Sequence, residues 1–424
     1  MDLSRKTAFQ ILLEIEKENS FSNLIINKFI NENNPDDTSF VRELAYGVLE
    51  NKMLLDYYLN CLIPSGIERV KIREKVLLRL GLYQLMFMNS VPEYAALNET
   101  VNIAKKVCKG REGFINGVLR GYLKKKKQIS LPSDDYKEYL SIKYSFPLWI
   151  INMWEAQYGS DILESLLKAS NMRAELCIRI NLTKISLEEM ESRLDTLGFK
   201  TRRGKFSNRV LYVRGKSLID TKEYNDGLFS VQDEASVMAC EILKPKPQDM
   251  VIDTCAAPGG KTSAIAEMMN NQGTIISCDV YDHKLKLIRE QAKRLGIDIV
   301  STRLIDGIKG DDSFKEKADC VLVDAPCSGL GVIRKKPEIK YKSSEDIKEL
   351  ICIQRQILFK SSEYVKIGGT LLYSTCTINK NENDRQIENF LESHREYEII
   401  EKRQFLPTDD VDGFFICKMM KKGN

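Results

Sequence analysis

The sequence has only two histidines, His283 and His394, and no Cys-x-x-Cys pair among its eleven cysteines. Without the usual ligand spacings a zinc site is not expected, and no other metal is called for. No uncharged run approaches about 18 residues, so no membrane-spanning helix is predicted. The apolar stretch from Leu80 to Met88 is short and fits a core helix. Met1-Asp-Leu-Ser-Arg-Lys6 opens straight into an amphipathic pattern, so no secretory leader is expected and a cytoplasmic location is. In a reducing compartment, scattered cysteines are mostly small buried hydrophobes and not disulfide partners. An excess of either charge is also small. Lys and Arg total 64 against 60 Asp and Glu, and the net charge of +4 permits nucleic-acid binding without demanding it.

What is present is a globular composition, 43% hydrophobic and 29% charged, in a chain of 424 residues. That length exceeds one ordinary core and predicts two or three domains. Residues 1–128 read as helical. Ala8, Ile11, Leu12 and Ile15 recur at helical spacing, as do Ile72, Val76, Leu80, Tyr83 and Phe87. No cluster of titratable groups stands out there, which suits a scaffold bundle. Lys124-Lys-Lys-Lys127, near Arg111 and Arg120, is either a solvated face or a phosphate-contacting patch.

Residues 129–235 read as a linker and a small basic α+β module. Cys177–Asn181 and Val210–Val213 are predicted strands around a helix from Ser186 to Leu197. Lys200, Arg202, Arg203, Lys205, Arg209, Arg214 and Lys216 crowd the second strand. They suggest RNA backbone contact, the plainer alternative being a charged edge that discourages strand pairing. From 236 to 424, strands and helices alternate, which implies a mostly parallel sheet in a Rossmann-like α/β domain. The expected fold is therefore multi-domain: an all-α bundle, an α+β module and a C-terminal α/β domain.

Three stretches of the last domain carry chemistry. Asp253-Thr-Cys-Ala-Ala-Pro-Gly-Gly-Lys-Thr262 reads as a strand end, a small-residue turn and a helix start. Gly259 and Gly260 allow close approach of a ligand to backbone, and the helix N-terminus offers free N–H groups. A Walker A loop would need glycine where Cys255 stands, so a P-loop is disfavoured. Asp279 ends the next predicted strand, where an acid commonly accepts from ribose hydroxyls. Asp306 follows a third strand and is placed for an adenine edge. Such a set suits a nucleoside cofactor lacking phosphates, with S-adenosyl-L-methionine as the expected one. The second stretch, Ala318 to Gly329, is a buried strand stopping at Asp324-Ala-Pro-Cys-Ser-Gly329. The third, Gly369 to Cys376, is another strand ending on a cysteine. An acid and two thiols at neighbouring strand ends are enough for a covalent catalytic site.

Ile252 to Thr262, Asp324 to Gly329 and Tyr373-Ser-Thr-Cys376 resemble the RNA cytosine-C5 methyltransferases. Val231-Gln-Asp-Glu-Ala-Ser236 and Asp412-Gly-Phe-Phe415 are similar to that family as well. Arg42-Glu-Leu-Ala-Tyr-Gly-Val-Leu49 and Phe114-Ile-Asn-Gly-Val-Leu-Arg120 resemble a NusB-type helical domain. The combination resembles the bacterial RsmB (Sun/Fmu) group, which acts on 16S rRNA, over nearly the whole chain. The departure at Leu330, where the group more often has threonine, is not expected to affect catalysis.

The resemblance implies roles. Cys376 matches the nucleophile that adds to C6 of the cytosine, Asp324 the acid at N3, and Cys327 the second cysteine that helps release the product. Cys255, Ala256, Ala257, Pro258, Gly259, Gly260, Lys261, Asp279, Asp306 and Asp324 are the expected cofactor-binding set. The target base must leave its stack or come from an unpaired loop. The expected partner is 16S rRNA, with no membrane and a monomeric protein. The same reaction on tRNA, or a non-enzymatic NusB-like RNA-binding factor, are the alternatives.

Overall fold

The computed structural model describes residues 2–18, 22–215 and 217–423, so Lys216 of the basic cluster lies outside the described residues. The chain divides into two compact units. One holds the residues through Asn171 together with Ile333–Lys342; the other holds Met172–Val332 and the chain from Ser343 onward.

The first unit is helical, as the spacing predicted for residues 1–128, and the helices continue past that point to Ser170. Helices run Leu3–Glu18, Ser22–Asn33, Thr38–Glu50, Lys52–Leu62, Ile72–Phe87, Glu93–Val107 and Glu112–Lys125. Three more, Tyr136–Tyr144, Leu148–Tyr158 and Ser160–Ser170, complete it. Asp37 caps the helix Thr38–Glu50 by accepting from the Phe40 N–H at 2.8 Å. Ile72–Phe87 is apolar around most of its circumference, and it is the buried helix: Val76, Leu77, Leu80 and Tyr83 join Ile11, Leu44 and Leu119 in one core.

Ile333–Lys342 is the unexpected member of this unit. Its short 3-10 turn, Pro337–Tyr341, places Lys340 where helix ends converge. The Lys340 Nζ donates to the Glu50 carbonyl at 2.7 Å, the Asn171 Oδ1 at 3.2 Å and the Tyr144 carbonyl at 3.5 Å. Glu50 and Tyr144 are the last residues of their helices, and Asn171 follows the helix Ser160–Ser170. The ammonium thus meets the negative ends of helix dipoles. It is completely buried, and burial pushes its pKa down to about 7. Beside it Tyr341 donates to the Leu49 carbonyl at 2.8 Å, and Glu338 accepts from the N–H and hydroxyl of Ser22 at 3.0 and 2.8 Å.

The second unit contains two sheets. The strands are β1 Leu176–Ile180, β2 Lys200–Arg203, β3 Val210–Arg214, β4 Phe229–Val231, β5 Met250–Asp253, β6 Thr274–Asp279, β7 Val300–Leu304, β8 Ala318–Asp324, β9 Val365–Thr375, β10 Tyr397–Phe405 and β11 Phe414–Lys421. The first four form an antiparallel sheet in the order β2-β3-β1-β4. Its basic cluster is largely paired. Arg202 and Arg214 share Glu175, Arg203 holds Glu191, and Arg209 lies 3.6 Å from Glu241. Arg202 and Arg214 share one carboxylate, so the cluster keeps an excess of positive charge on this module.

The larger sheet has the order β10-β11-β9-β8-β5-β6-β7. β9-β8-β5-β6-β7 are parallel neighbours, and β11 and β10 join antiparallel. Both faces of the central strands are buried. Val251, Leu322 and Leu372 pack on one side with Ala264 and Ile265; Ile252, Val321, Val323 and Tyr373 pack on the other with Leu358 and Phe390. The strand order reverses between β5 and β8, so a crevice opens at their carboxyl ends, where open α/β sheets bind ligands.

Candidate active site

The turn after β5 is tied down on both sides. The Thr254 N–H donates to the Leu322 carbonyl of β8 at 3.0 Å, and the Ala256 N–H to the Cys278 carbonyl of β6 at 2.9 Å. Gly259 then adopts φ +102°, and a Cβ there would stand 3.2 Å from the Ile288 Cα, so only glycine fits comfortably. The helix Gly260–Met268 starts at once. A cavity of about 190 Å³ opens over this turn, lined by Cys255–Pro258, Gly260, Lys261, Asp253 and Asp324. Val231, Gln232 and Ser236, contributed from β4 and the helix after it, close its far side.

Asp253 is the unusual wall residue. It is completely buried. Its Oδ2 accepts from the Thr262 hydroxyl at 2.7 Å, while Oδ1 has no protein partner. Burial pushes its carboxyl up to about 7 against the opposing bond from Thr262.

Beneath the cavity lies a second buried charge. Arg179 of β1 donates to the Gly260 carbonyl at 2.9 Å, to the Ser263 hydroxyl at 3.1 Å and to Gln232, and it pairs with Glu267 at 2.8 Å. The small sheet therefore holds the start of the cofactor-turn helix. Neither Arg179 nor Gln232 was singled out as a site residue by sequence reasoning. The stretch Val231–Ser236, noted only as a family likeness, was the available signal.

At the ends of β8 and β9 the parallel register pairs Asp324 with Ser374. The Ser374 hydroxyl donates to Asp324 Oδ1 at 2.8 Å, and Lys261 Nζ donates to Oδ2 at 2.7 Å. Burial opposes the Lys261 ammonium, but Asp324's charge and hydrogen bond outweigh it and raise the lysine pKa. Two and three residues past this pair, respectively, come Cys376 and Cys327. Their Sγ atoms are 3.3 Å apart, neither is in a disulfide, and both residues are partly exposed. The hydrogen bond with Cys376, then burial, holds the Cys327 thiol well above the ordinary range. The Gly331 N–H donates to the Cys376 carbonyl at 3.0 Å, and the Gly413 N–H to the Gly331 carbonyl at 2.8 Å. A Cβ on Gly413 would stand 2.5 Å from the Ile378 side chain and 2.7 Å from the Gly331 Cα, which explains the glycine in Asp412-Gly-Phe-Phe415. Leu330, the departure from the resembled motif, is buried.

The cavity thus brings Cys255–Pro258, Gly260, Lys261 and Asp324 together. Asp279 and Asp306 stand outside its lining, at the ends of the next two strands. Asp279 ends β6 and accepts from the Tyr281 N–H at 3.1 Å; its carbonyl takes the N–H of Ile305, the residue before Asp306, at 3.1 Å. The exposed side chains of Val280, Tyr281 and Ile308 flank the two acids.

Three family models match this chain. The model for 16S rRNA methyltransferases RsmB/F matches residues 240–420, the NusB family model residues 2–124, and a ferredoxin-like domain model of RsmF/B-type methyltransferases residues 146–219. The probable ribosomal RNA small subunit methyltransferase B of Bacillus subtilis (strain 168) is 37% identical over 442 residues, covering 99% of each chain. The chain belongs to the ribosomal RNA small subunit methyltransferase B family. The Escherichia coli (strain K12) relative is 30% identical over 397 residues, 91% of each chain. The crystal structure of PH0851 aligns with a TM-score of 0.86 at 26% identity, covering 99% of this chain and 98% of that one. The helical bundle is accordingly NusB-like, the four-stranded module ferredoxin-like and the C-terminal domain Rossmann-like. Membership also makes this an S-adenosylmethionine-dependent RNA methyltransferase acting on ribosomal RNA. Among the described residues no helix is long and apolar enough to cross a membrane.

Proposed function

We propose that the protein methylates C5 of a cytosine in 16S rRNA through a covalent adduct between Cys376 and C6 of the base. The observation that carries this reading is the pair of thiols 3.3 Å apart beside an aspartate fixed through both oxygens. Cytosine C5 is a weak nucleophile, and a methyl transfer to it needs prior addition at C6. Cys376 makes that addition. Asp324, oriented by Lys261 and Ser374, meets the N3 edge as charge builds there. A base then takes the C5 proton, and Cys327 assists the departure of Cys376.

The residues fit the cofactor. The unpartnered Oδ1 of Asp253 supplies a buried acceptor on the cavity wall, suited to an α-ammonium group. Cys255–Lys261 and Asp324 would receive the methionine end, Asp279 the ribose hydroxyls, and Asp306, with exposed Tyr281 and Ile308 near it, the adenine. The bound cofactor supplies the methyl group as an electrophile. We assign domain roles at 1–128 and 129–235 to RNA recruitment and at 236–424 to chemistry.

Purified protein incubated with methyl-labelled cofactor and unmodified 16S rRNA, followed by nucleoside mass spectrometry, tests the reading. Label in 5-methylcytidine from 16S rRNA is expected. Label in tRNA alone would redirect the substrate, and label in any nucleoside other than 5-methylcytidine would overturn the chemistry.

A further inference from the structure

Glu382 lies in the loop between β9 and the helix Asp384–Ser393, outside every motif named above, and it is completely buried. Its Oε1 accepts from the Ser328 N–H at 2.8 Å and the Gln354 amide at 2.9 Å. Its Oε2 accepts from the Ser328 hydroxyl at 2.6 Å, the Asn379 amide at 3.0 Å and the Thr377 hydroxyl at 3.4 Å. Five donors surround one carboxylate, which is the setting of an anion.

The donors are placed around the cysteines. Ser328 follows Cys327 and Thr377 follows Cys376, and the two hydroxyls are 2.8 Å apart. Gln354 also donates to the carbonyl of Pro326, the residue before Cys327, at 2.9 Å. Tyr373, three residues before Cys376, donates to Glu382's own carbonyl at 2.8 Å. One side chain therefore fixes both cysteine-bearing turns.

We propose that Glu382 is a positioning residue for the reaction: it holds the two thiols in register, and its charge keeps Cys327 the protonated member of the pair. This rests on the covalent reading above. Two thiols in contact do not both ionise readily, so the surroundings decide which one does. Cys376, Glu382 and Tyr373 face Cys327; the hydrogen bond with Cys376 and burial oppose a thiolate there most, and the Cys376 and Glu382 charges add to them. Cys376 has Lys261 as its cationic neighbour, with Asp324 paired to that lysine. The negative charge is thus steered to Cys376, which leaves Cys376 as the nucleophile.

The test is a pH titration of iodoacetamide alkylation at each cysteine of the full-length protein without RNA, read by peptide mass spectrometry. Wild type should alkylate Cys376 first. Glu382→Gln should move the Cys327 curve to lower pH, and alkylation at a fixed pH should speed up about tenfold for every pH unit the curve moves. Turnover should fall while cofactor affinity holds. Glu382→Asp, which keeps the charge but retracts it, should leave the Cys327 curve high and still lose turnover. It serves as the readout if Glu382→Gln does not fold. An unchanged Cys327 curve in folded Glu382→Gln, or a low one in Glu382→Asp, overturns the charge role. Failure of the covalent reading would show separately, as absence of labelled 5-methylcytidine with the alkylation curves intact.

Discussion

Arg179 of β1 and Glu267 of the cofactor-turn helix form a 2.8 Å ion pair with side chains only 1% and 2% exposed. Removing one partner of such a pair leaves a buried charge uncompensated and costs about 3–5 kcal/mol. Glu267→Gln should therefore lower the urea midpoint of the second unit sharply. It should also weaken cofactor binding, because Arg179 holds the Gly260 carbonyl and Gln232. A midpoint within error of wild type would show that the pair is dispensable.

Asp253 should make stability fall as pH rises. Its carboxyl lies at about 7 in the fold against an ordinary value of 3.8, so folding takes up a proton between those limits. The contribution is complete below the lower value and is lost as pH climbs through the higher one. The difference in melting temperature between wild type and Asp253→Asn should be constant below about pH 4, should shift in favour of the variant as pH rises to about 7, and should level off above that. Parallel curves would remove Asp253 as the source.

The two cysteines should fail differently. Cys376→Ala should abolish methyl transfer. Cys327→Ala should permit attack and transfer, then stall as a protein–RNA adduct that survives denaturing electrophoresis. The double variant should show no adduct. Trapping by Cys376→Ala instead would reverse the assigned roles.

Asp279→Ala should weaken cofactor binding by about 1.5–3 kcal/mol, the range for hydrogen bonds to a charged group, without unfolding the domain. Calorimetric titration with S-adenosylmethionine measures it. An unchanged dissociation constant takes Asp279 out of the site.

Lys340→Ala should destabilise the helical unit, since its carbonyl acceptors lose their buried donor at about 1–3 kcal/mol each. Thermal melting followed by circular dichroism reads the effect. A melting temperature equal to wild type would mean that water replaces the ammonium.

The strand ends and their acids were readable in the sequence because a buried parallel strand is a short apolar run with an abrupt polar stop. β5, β8 and β9 all have that form. β10 was missed because it is an edge strand: in Tyr397-Glu-Ile-Ile-Glu-Lys-Arg-Gln-Phe405 only the two end residues are buried. β2, Lys-Thr-Arg-Arg, was missed for the same reason. The Cys327–Cys376 proximity follows from parallel pairing of two strands whose motifs were both recognised. Arg179, Glu382 and Lys340 carry no such signal. Each is an ordinary charged residue until the fold brings partners to it, 88 residues away for Arg179 and as many as 290 for Lys340.

The turn around Lys340 makes the chain something other than beads on a string. No single cut yields two whole pieces, because Ile333–Lys342 belongs to the helical unit while the polypeptide on either side belongs to the other. A fragment ending at Asn171 lacks a plug for three helix ends, and its complement carries a lysine-bearing loop with nothing to fill. Expressed separately, the halves should be poor proteins alone and should recover by reassociation in trans.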